Sequence, residues 1–210
     1  MAKLKGPLFS LGASGQLGKT LVYFPWKGLN VVRTHVVPSN PDTALQQTQR
    51  AFITAVVAAI HAAQALAANP LDQEDLTAYS ALASTLGRPM TWFNMICKSW
   101  IDCEILADIP VIYSNGTMTD PTVGSVDCII YLNEKTGSQL AAGKFYFGAS
   151  PTSLVHSVAA TITPGATAAL VASDCSAFLT VGKKFYWQFR PNAADPCEGA
   201  DSGIYHDVGA

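Results

Sequence analysis

Residues 13–20, Ala-Ser-Gly-Gln-Leu-Gly-Lys-Thr, come nearest to a chemical motif in this chain. They approximate the loop that binds nucleotide phosphates, in which glycine amides, a lysine and a hydroxyl surround the phosphate groups. Such a loop needs a helix after it, so that the helix dipole faces the anion. The next residues, Leu-Val-Tyr-Phe-Pro, favour a strand, and Pro25 would break a helix. We therefore interpret Lys19 and Thr20 as part of a Gly-rich loop that enters a β-hairpin.

The remaining candidates for catalysis or metal binding have simpler interpretations. Asp72, Glu74 and Asp75 stand at the start of a predicted helix, where carboxylates stabilise the helix dipole, so we predict capping rather than acid–base catalysis. The four histidines are His35, His61, His156 and His206. None lies two or four residues from another His, Cys or Glu, and no Gly-x-Ser-x-Gly elbow occurs. We predict no enzyme, no metal site and no cofactor.

The five cysteines leave two interpretations open. They are Cys97, Cys103, Cys128, Cys175 and Cys197. Because the number is odd, at least one has no intramolecular partner. They are either small buried hydrophobic residues in a reduced protein, or they include a Cys175–Cys197 disulfide or an intermolecular bond formed after release from the cell.

The composition favours a subunit of an assembly over a protein that remains monomeric in solution. The 210 residues are 49% hydrophobic and only 13% charged, against about 25% charged in ordinary domains. Burial of part of the surface in an oligomer explains so few charges. A net charge of −2 without a basic stripe argues against a direct nucleic-acid partner. No apolar run reaches about 18 residues and no signal peptide is evident, so we predict no membrane span and assembly in the cytoplasm.

The first half of the chain predicts a hairpin followed by helices. The predicted elements are strands over 20–24 and 29–37 with a turn at Lys27–Gly28, a connector with Pro38 and Pro41, and helices over about 44–68, 71–86 and 90–106. Trp26 lies at the hairpin tip. It either folds back on the first helix or serves as an exposed aromatic anchor for a neighbouring subunit.

The second half predicts an all-β domain. Two prolines and the pair Asn115–Gly116 predict an extended linker, which we place at residues 111–121. The predicted strands are 125–132, 144–148, 157–162, 167–172, 183–190 and 203–208. Phe185, Trp187 and Phe189 alternate with more polar residues, which indicates one buried face. The predicted fold class is α+β, with a hairpin-plus-helical anchoring domain at 1–110 and a β-sandwich at 122–210.

The C-terminal part resembles the fibronectin type III-like and immunoglobulin-like sandwiches. The residues that carry the resemblance are 144–153 (KFYFGASPTS), 179–190 (LTVGKKFYWQFR) and 201–205 (DSGIY). The resemblance implies a binding or spacer module that contributes no catalytic residues.

The N-terminal part, residues 6–106, resembles structural proteins of tailed bacteriophages and prophages. The matching segments are Gly15–Lys19, Trp26–Gly28, Val32–Arg33, Val37–Pro41 and Gln46–Arg50. This resemblance implies a non-enzymatic virion component of the neck or collar, the tail or the capsid surface. Its N-terminal part would dock to other virion proteins and to further copies of itself, while the sandwich projects.

The expected interface residues come from both parts of the chain. They are Trp26, Lys27, Arg33, Tyr113, Tyr186 and Tyr205. An alternative function is a host-surface or glycan-binding module, in which the sandwich recognises its ligand through Tyr146, Tyr186, Trp187 or Tyr205.

Overall fold

The protein has a mixed α+β fold. The computed structural model describes residues 3–4, 13–27, 29–37, 39, 42–87, 90–119, 127–135, 139–162, 169–172 and 182–208. Over these ranges the chain forms three helices and twelve strands, all paired antiparallel, and it divides into two compact units, Met1–Gln46 and Gln47–Ala210. Parts of the sequence predictions fall at Gly28, Pro38, Asn40, Pro41, 120–126, 136–138, 163–168, 173–181 and 209–210, which lie outside the described residues.

The first unit contains a four-stranded sheet. Its strands are β1 (Lys3–Leu4), β2 (Ala13–Leu17), β3 (Leu21–Trp26) and β4 (Leu29–Thr34), in the order β1-β2-β3-β4. The hairpin of β3 and β4 was predicted, whereas β2 replaces part of the predicted Gly-rich loop. A turn with positive φ at Gly18 and Lys19 leads directly into β3. Because a strand follows that turn, Lys19 and Thr20 do not face the N-terminus of a helix.

The second unit contains three helices, the first of which begins three residues earlier, in the first unit. They are α1 (Ala44–Gln64), α2 (Gln73–Thr85) and α3 (Trp92–Leu106), as predicted, but α1 ends four residues early. The cause is a turn in which Asn69 adopts a positive φ and the Leu71 amide donates to the Ala63 carbonyl at 3.1 Å. The helices share a buried cluster that includes Val56, Ile60, Tyr79, Leu82, Ile96 and Trp100.

The rest of the second unit consists of two four-stranded sheets. The strands are β5 (Val111–Thr119), β6 (Asp127–Glu134), β7 (Gly143–Gly148), β8 (His156–Ala159), β9 (Thr161–Ile162), β10 (Ala169–Ala172), β11 (Lys184–Pro191) and β12 (Tyr205–Val208). One sheet has the order β5-β6-β10-β9 and the other β12-β11-β7-β8. Side chains of both sheets enter one core, where the rings of Tyr113 on β5 and Phe189 on β11 lie 5.4 Å apart.

The β11 strand has a buried side and a second side that is less exposed than expected. Phe185, Trp187 and Phe189 are buried, as their alternation predicted. Gln188 on the opposite side is also buried, and its amide donates to the Ser202 carbonyl at 2.8 Å. Tyr186 on that side packs against the helical cluster. The strand is therefore covered on both faces, by the other sheet and by the helices.

Residues 111–119 form a buried strand where the sequence led us to expect a linker. Ile112 contributes to the helical cluster and Tyr113 to the cluster between the sheets. Pro110 precedes the strand, where a missing amide proton does not interrupt pairing. Asn115 and Gly116 form a bulge within the strand, at a shift in register between Ser114 and Thr117. The helices and the C-terminal sheets thus share one compact unit.

The four described cysteines form no disulfide with one another. Cys103, Cys128 and Cys197 are buried and Cys97 is half-buried, while Cys175 lies outside the described residues. Burial raises the pKa of Cys103 to about 11 and that of Cys197 to about 12, and neighbouring carboxylates add to both shifts. Thiols with such pKa values are protonated at neutral pH and unreactive.

Candidate functional site

An exposed apolar surface lies on the β3–β4 hairpin. Trp26 pairs with Leu29 and Phe24 pairs with Val31 across the two strands, so these four side chains share one face. Trp26 is 58% exposed and Leu29 is 68% exposed. We call Phe24, Trp26, Lys27, Leu29 and Arg33 the hairpin face. Large apolar side chains left in water at a hairpin tip are typical of a contact surface.

Cations stand over the aromatic rings of the hairpin face. Lys27 Nζ lies 5.9 Å from the centre of the Trp26 ring, and the Arg33 guanidinium lies 5.3 Å from the centre of the Phe24 ring. These distances are within cation–π range. Residues 1–46 contain five Lys or Arg and only one acidic residue, Asp42. The hairpin face is therefore both apolar and positively charged.

A buried carboxylate joins α2 to both C-terminal sheets. Asp75 is fully buried and accepts hydrogen bonds from the amides of Asp72 (3.1 Å), Asn115 (2.8 Å) and Gly116 (3.2 Å) and from the Tyr205 hydroxyl (2.7 Å). The first of these bonds completes a capping box with Asp72. Burial raises the pKa of the Asp75 carboxyl, and the four hydrogen bonds partly oppose that shift.

A groove opens beside this carboxylate. It is bordered by α2, by the bulge of β5 and by the edge strand β12, and its volume is about 490 Å³. We call it the α2–β12 groove and define it by Glu74, Thr77, Met118, Ile204, His206 and Asp207. Its lining includes Met118, Ile204 and the buried rings of Trp187 and Tyr205, which are stacked at 4.5 Å. Among the described residues that line it, two are carboxylates and none is lysine or arginine.

The six predicted interface residues have different environments. Trp26, Lys27 and Arg33 are exposed and belong to one hairpin, as expected of an interface. Tyr113 and Tyr205 are buried, because β5 and β12 are packed strands and not the linker and exposed surface that we expected. Tyr186 is half-buried against the helical cluster. The structure therefore brings three of the six together.

The aromatic residues considered for glycan binding offer little free ring surface. Trp187 and Tyr205 are buried and stacked on each other. The Arg190 guanidinium lies 4.8 Å from the centre of the Tyr146 ring, and Lys184 Nζ lies 5.9 Å from that of Tyr186. Trp187 and Tyr205 are therefore closed to a ligand, while Tyr146 and Tyr186 are half-buried with a cation over each ring.

Sequence reasoning missed two features of these sites. The sequence prediction recognised no basic stripe, although residues 1–46 hold five of the thirteen Lys and Arg and only one of the fifteen acidic residues. The second is the role of Asp75, which was interpreted as a helix cap alone. No local signal predicts its bonds to Asn115 and Tyr205, because these residues are 40 and 130 positions away.

In the described part of the chain, no group of three or more His, Cys, Asp or Glu side chains is placed to hold a metal ion. None of the described helices has the length and apolar character needed to cross a membrane. No family model, no curated protein and no solved structure matches this chain.

Proposed function

We propose that this chain is a non-enzymatic structural component of a tailed bacteriophage virion. The first unit docks to neighbouring virion proteins and the C-terminal sheets form a projecting module. The observation that carries the proposal is the hairpin face, where Trp26 and Leu29 are exposed beside Lys27 and Arg33. Tryptophan and arginine are the residue types most enriched at the energetic centres of protein interfaces.

The low charge of the whole chain supports the same proposal. Only 13% of the residues are charged, and large apolar side chains are exposed on the first unit at Leu17, Trp26, Leu29, Val32, Val36 and Val37. Surfaces of this kind are unusual in proteins that remain monomeric. Copies held in an assembled particle would bury part of that surface.

We further propose that the C-terminal sheets form a fibronectin type III-like sandwich. The orders β5-β6-β10-β9 and β12-β11-β7-β8 support this architecture, because they match the order A-B-E-D in one sheet and G-F-C in the other of the constant-type immunoglobulin sandwich, whose architecture fibronectin type III domains share. Strand β8 then adds one strand beside C. The shared core of Tyr113, Phe145, Trp187 and Phe189 is also consistent with two sheets packed face to face.

The proposal predicts that the chain is recovered in phage particles. Full-length protein with an epitope tag would be produced in cells in which the prophage or phage that encodes it is growing, and particles would be purified by density-gradient centrifugation. We expect the tagged chain to sediment with infectious particles at a fixed copy number. We expect a Trp26→Ala/Leu29→Ala variant to be reduced at least about tenfold in the particle band, because it loses the apolar centre of the hairpin face.

A Val155→Ala variant is the matched control, because Val155 is 73% exposed and lies in the second unit. It should sediment with particles like the unaltered chain. Recovery of the unaltered protein only in the soluble fraction, from cells that release normal particles, would contradict a virion role.

A further inference from the structure

We propose that the hairpin face of one copy docks into the α2–β12 groove of a second copy. This inference rests on the proposed assembly function, and it names the partner surface. The occupant of the groove is a defined segment, the β3–β4 hairpin with Trp26 at its tip. The contact joins two different surfaces of the same chain.

Charge complementarity favours this pairing. Residues 1–46 carry a formal charge of +4, from five basic residues and one acidic residue. Residues 47–210 carry −6, from the remaining eight basic and fourteen acidic residues. Like-charged surfaces repel and opposite ones steer association, so the first unit of one copy is attracted to the second unit of another.

The charged side chains of the groove and of the hairpin face are also opposite in sign. Glu74 and Asp207 line the groove, and Asp72 is exposed at the adjacent N-cap of α2. Lys27 and Arg33 flank the aromatic residues of the hairpin face. Docking of the hairpin would therefore place cations opposite carboxylates at the rim of the groove, where such pairs set orientation and partner choice.

The apolar parts also match. Met118 and Ile204 contribute apolar side chains to the lining of the groove, and the hairpin presents Trp26 and Leu29. A volume of about 490 Å³ is within the range of roughly 300–1,000 Å³ that accommodates compact ligands. An indole that is 58% exposed in the isolated chain gains an apolar environment there.

Pairing of two different surfaces has a consequence for symmetry. Each copy offers one hairpin and one groove, so each can contact two neighbours in a head-to-tail arrangement. Two copies can insert their hairpins into each other's grooves as a two-fold dimer, and head-to-tail contacts can close into rings or extend into filaments. A ring is the arrangement that suits a particle with an axis of rotational symmetry.

Charge reversal on each surface tests the pairing. The first variant is Lys27→Glu/Arg33→Glu and the second is Glu74→Lys/Asp207→Lys. We expect the unaltered chain to form oligomers whose mass is a multiple of 22.2 kDa, and each variant alone to remain at 22.2 kDa at the same concentration. An equimolar mixture should regain the larger mass, because the acidic hairpin of the first then faces the basic groove of the second, and the two unaltered surfaces also meet.

Lys144→Glu/Lys183→Glu is the matched control, since both lysines are exposed and lie in the second unit away from the groove. It should keep the mass of the unaltered chain. The inference is overturned if either hairpin or groove variant alone keeps the oligomer mass, if the mixture stays monomeric, or if the unaltered chain is a monomer at every concentration. These outcomes are separate from the particle experiment, which can still recover a chain that docks only to other virion proteins.

Discussion

Replacement of Asp75 by alanine is expected to lower the free energy of unfolding by about 3–5 kcal/mol. The Asp75 carboxylate accepts the hydrogen bonds of the Asn115 and Gly116 amides and of the Tyr205 hydroxyl. In the variant these buried donors would lose that acceptor, and each unsatisfied group costs about 1–3 kcal/mol. Chemical denaturation followed by circular dichroism would measure the change.

Two further variants separate the capping role of Asp75 from its role between the sheets. Asp72→Ala removes the exposed N-cap and should cost only about 1 kcal/mol.

Asp75→Asn keeps the shape of the side chain without its charge, and the comparison of its stability with that of the unaltered chain tests the pH dependence. Burial raises the pKa of Asp75 in the folded chain above its ordinary value of 3.8, so the folded chain binds this proton more tightly than the unfolded chain does. The resulting contribution to the free energy of unfolding is complete below pH 3.8 and is lost as the pH rises through the raised pKa. Equal losses for Asp72→Ala and Asp75→Ala would contradict this account.

Replacement of Gly203 by alanine is expected to lower the free energy of unfolding by about 2–3 kcal/mol, because it forces α2 apart from the segment that leads into β12. A Cβ atom at position 203 would lie 2.7 Å from Ala78 Cβ and 2.8 Å from the Ala78 carbonyl carbon. The Ile204 amide donates to the Ala78 carbonyl at 3.0 Å, so the backbone of the helix cannot move without breaking that bond.

Gly182→Ala is the control for this glycine. Gly182 has a φ of +69°, and no atom of the described residues lies within 4 Å of the position that an alanine methyl group would take, so alanine there meets backbone strain alone. We expect a cost of about 1 kcal/mol, measured by the same denaturation. A Gly203→Ala protein as stable as Gly182→Ala would show that α2 and β12 are not in close contact.

The elements that the sequence predicts well are those whose signals are local. Asn69–Pro70 indicated the break between α1 and α2, the acidic residues Glu74 and Asp75 indicated the start of α2, and the alternation of Phe185, Trp187 and Phe189 indicated a buried strand face. Each of these signals depends on residues within a few positions of one another. The α+β class of the fold follows from them.

The features that the sequence did not predict depend on distant contacts. Asn115–Gly116 is typical of a turn, but here the pair forms a bulge because Asp75 accepts both amide protons and the Tyr205 ring occupies the space of a side chain at Gly116. The two faces of β5 are buried by helices that precede it in the chain and by strands that follow it. Two alternatives were predicted for Trp26, which is 58% exposed.

The central claim is that the hairpin face is the surface through which this chain assembles. The most direct test is the mass in solution, by light scattering over a range of concentrations, of the unaltered chain, of Trp26→Ser/Leu29→Ser and of Val155→Ser. We expect the unaltered chain and Val155→Ser to form the same oligomer, a multiple of 22.2 kDa, and the hairpin variant to remain at 22.2 kDa with an unchanged circular dichroism spectrum. A folded hairpin variant with the same oligomer mass as the unaltered chain would contradict the claim.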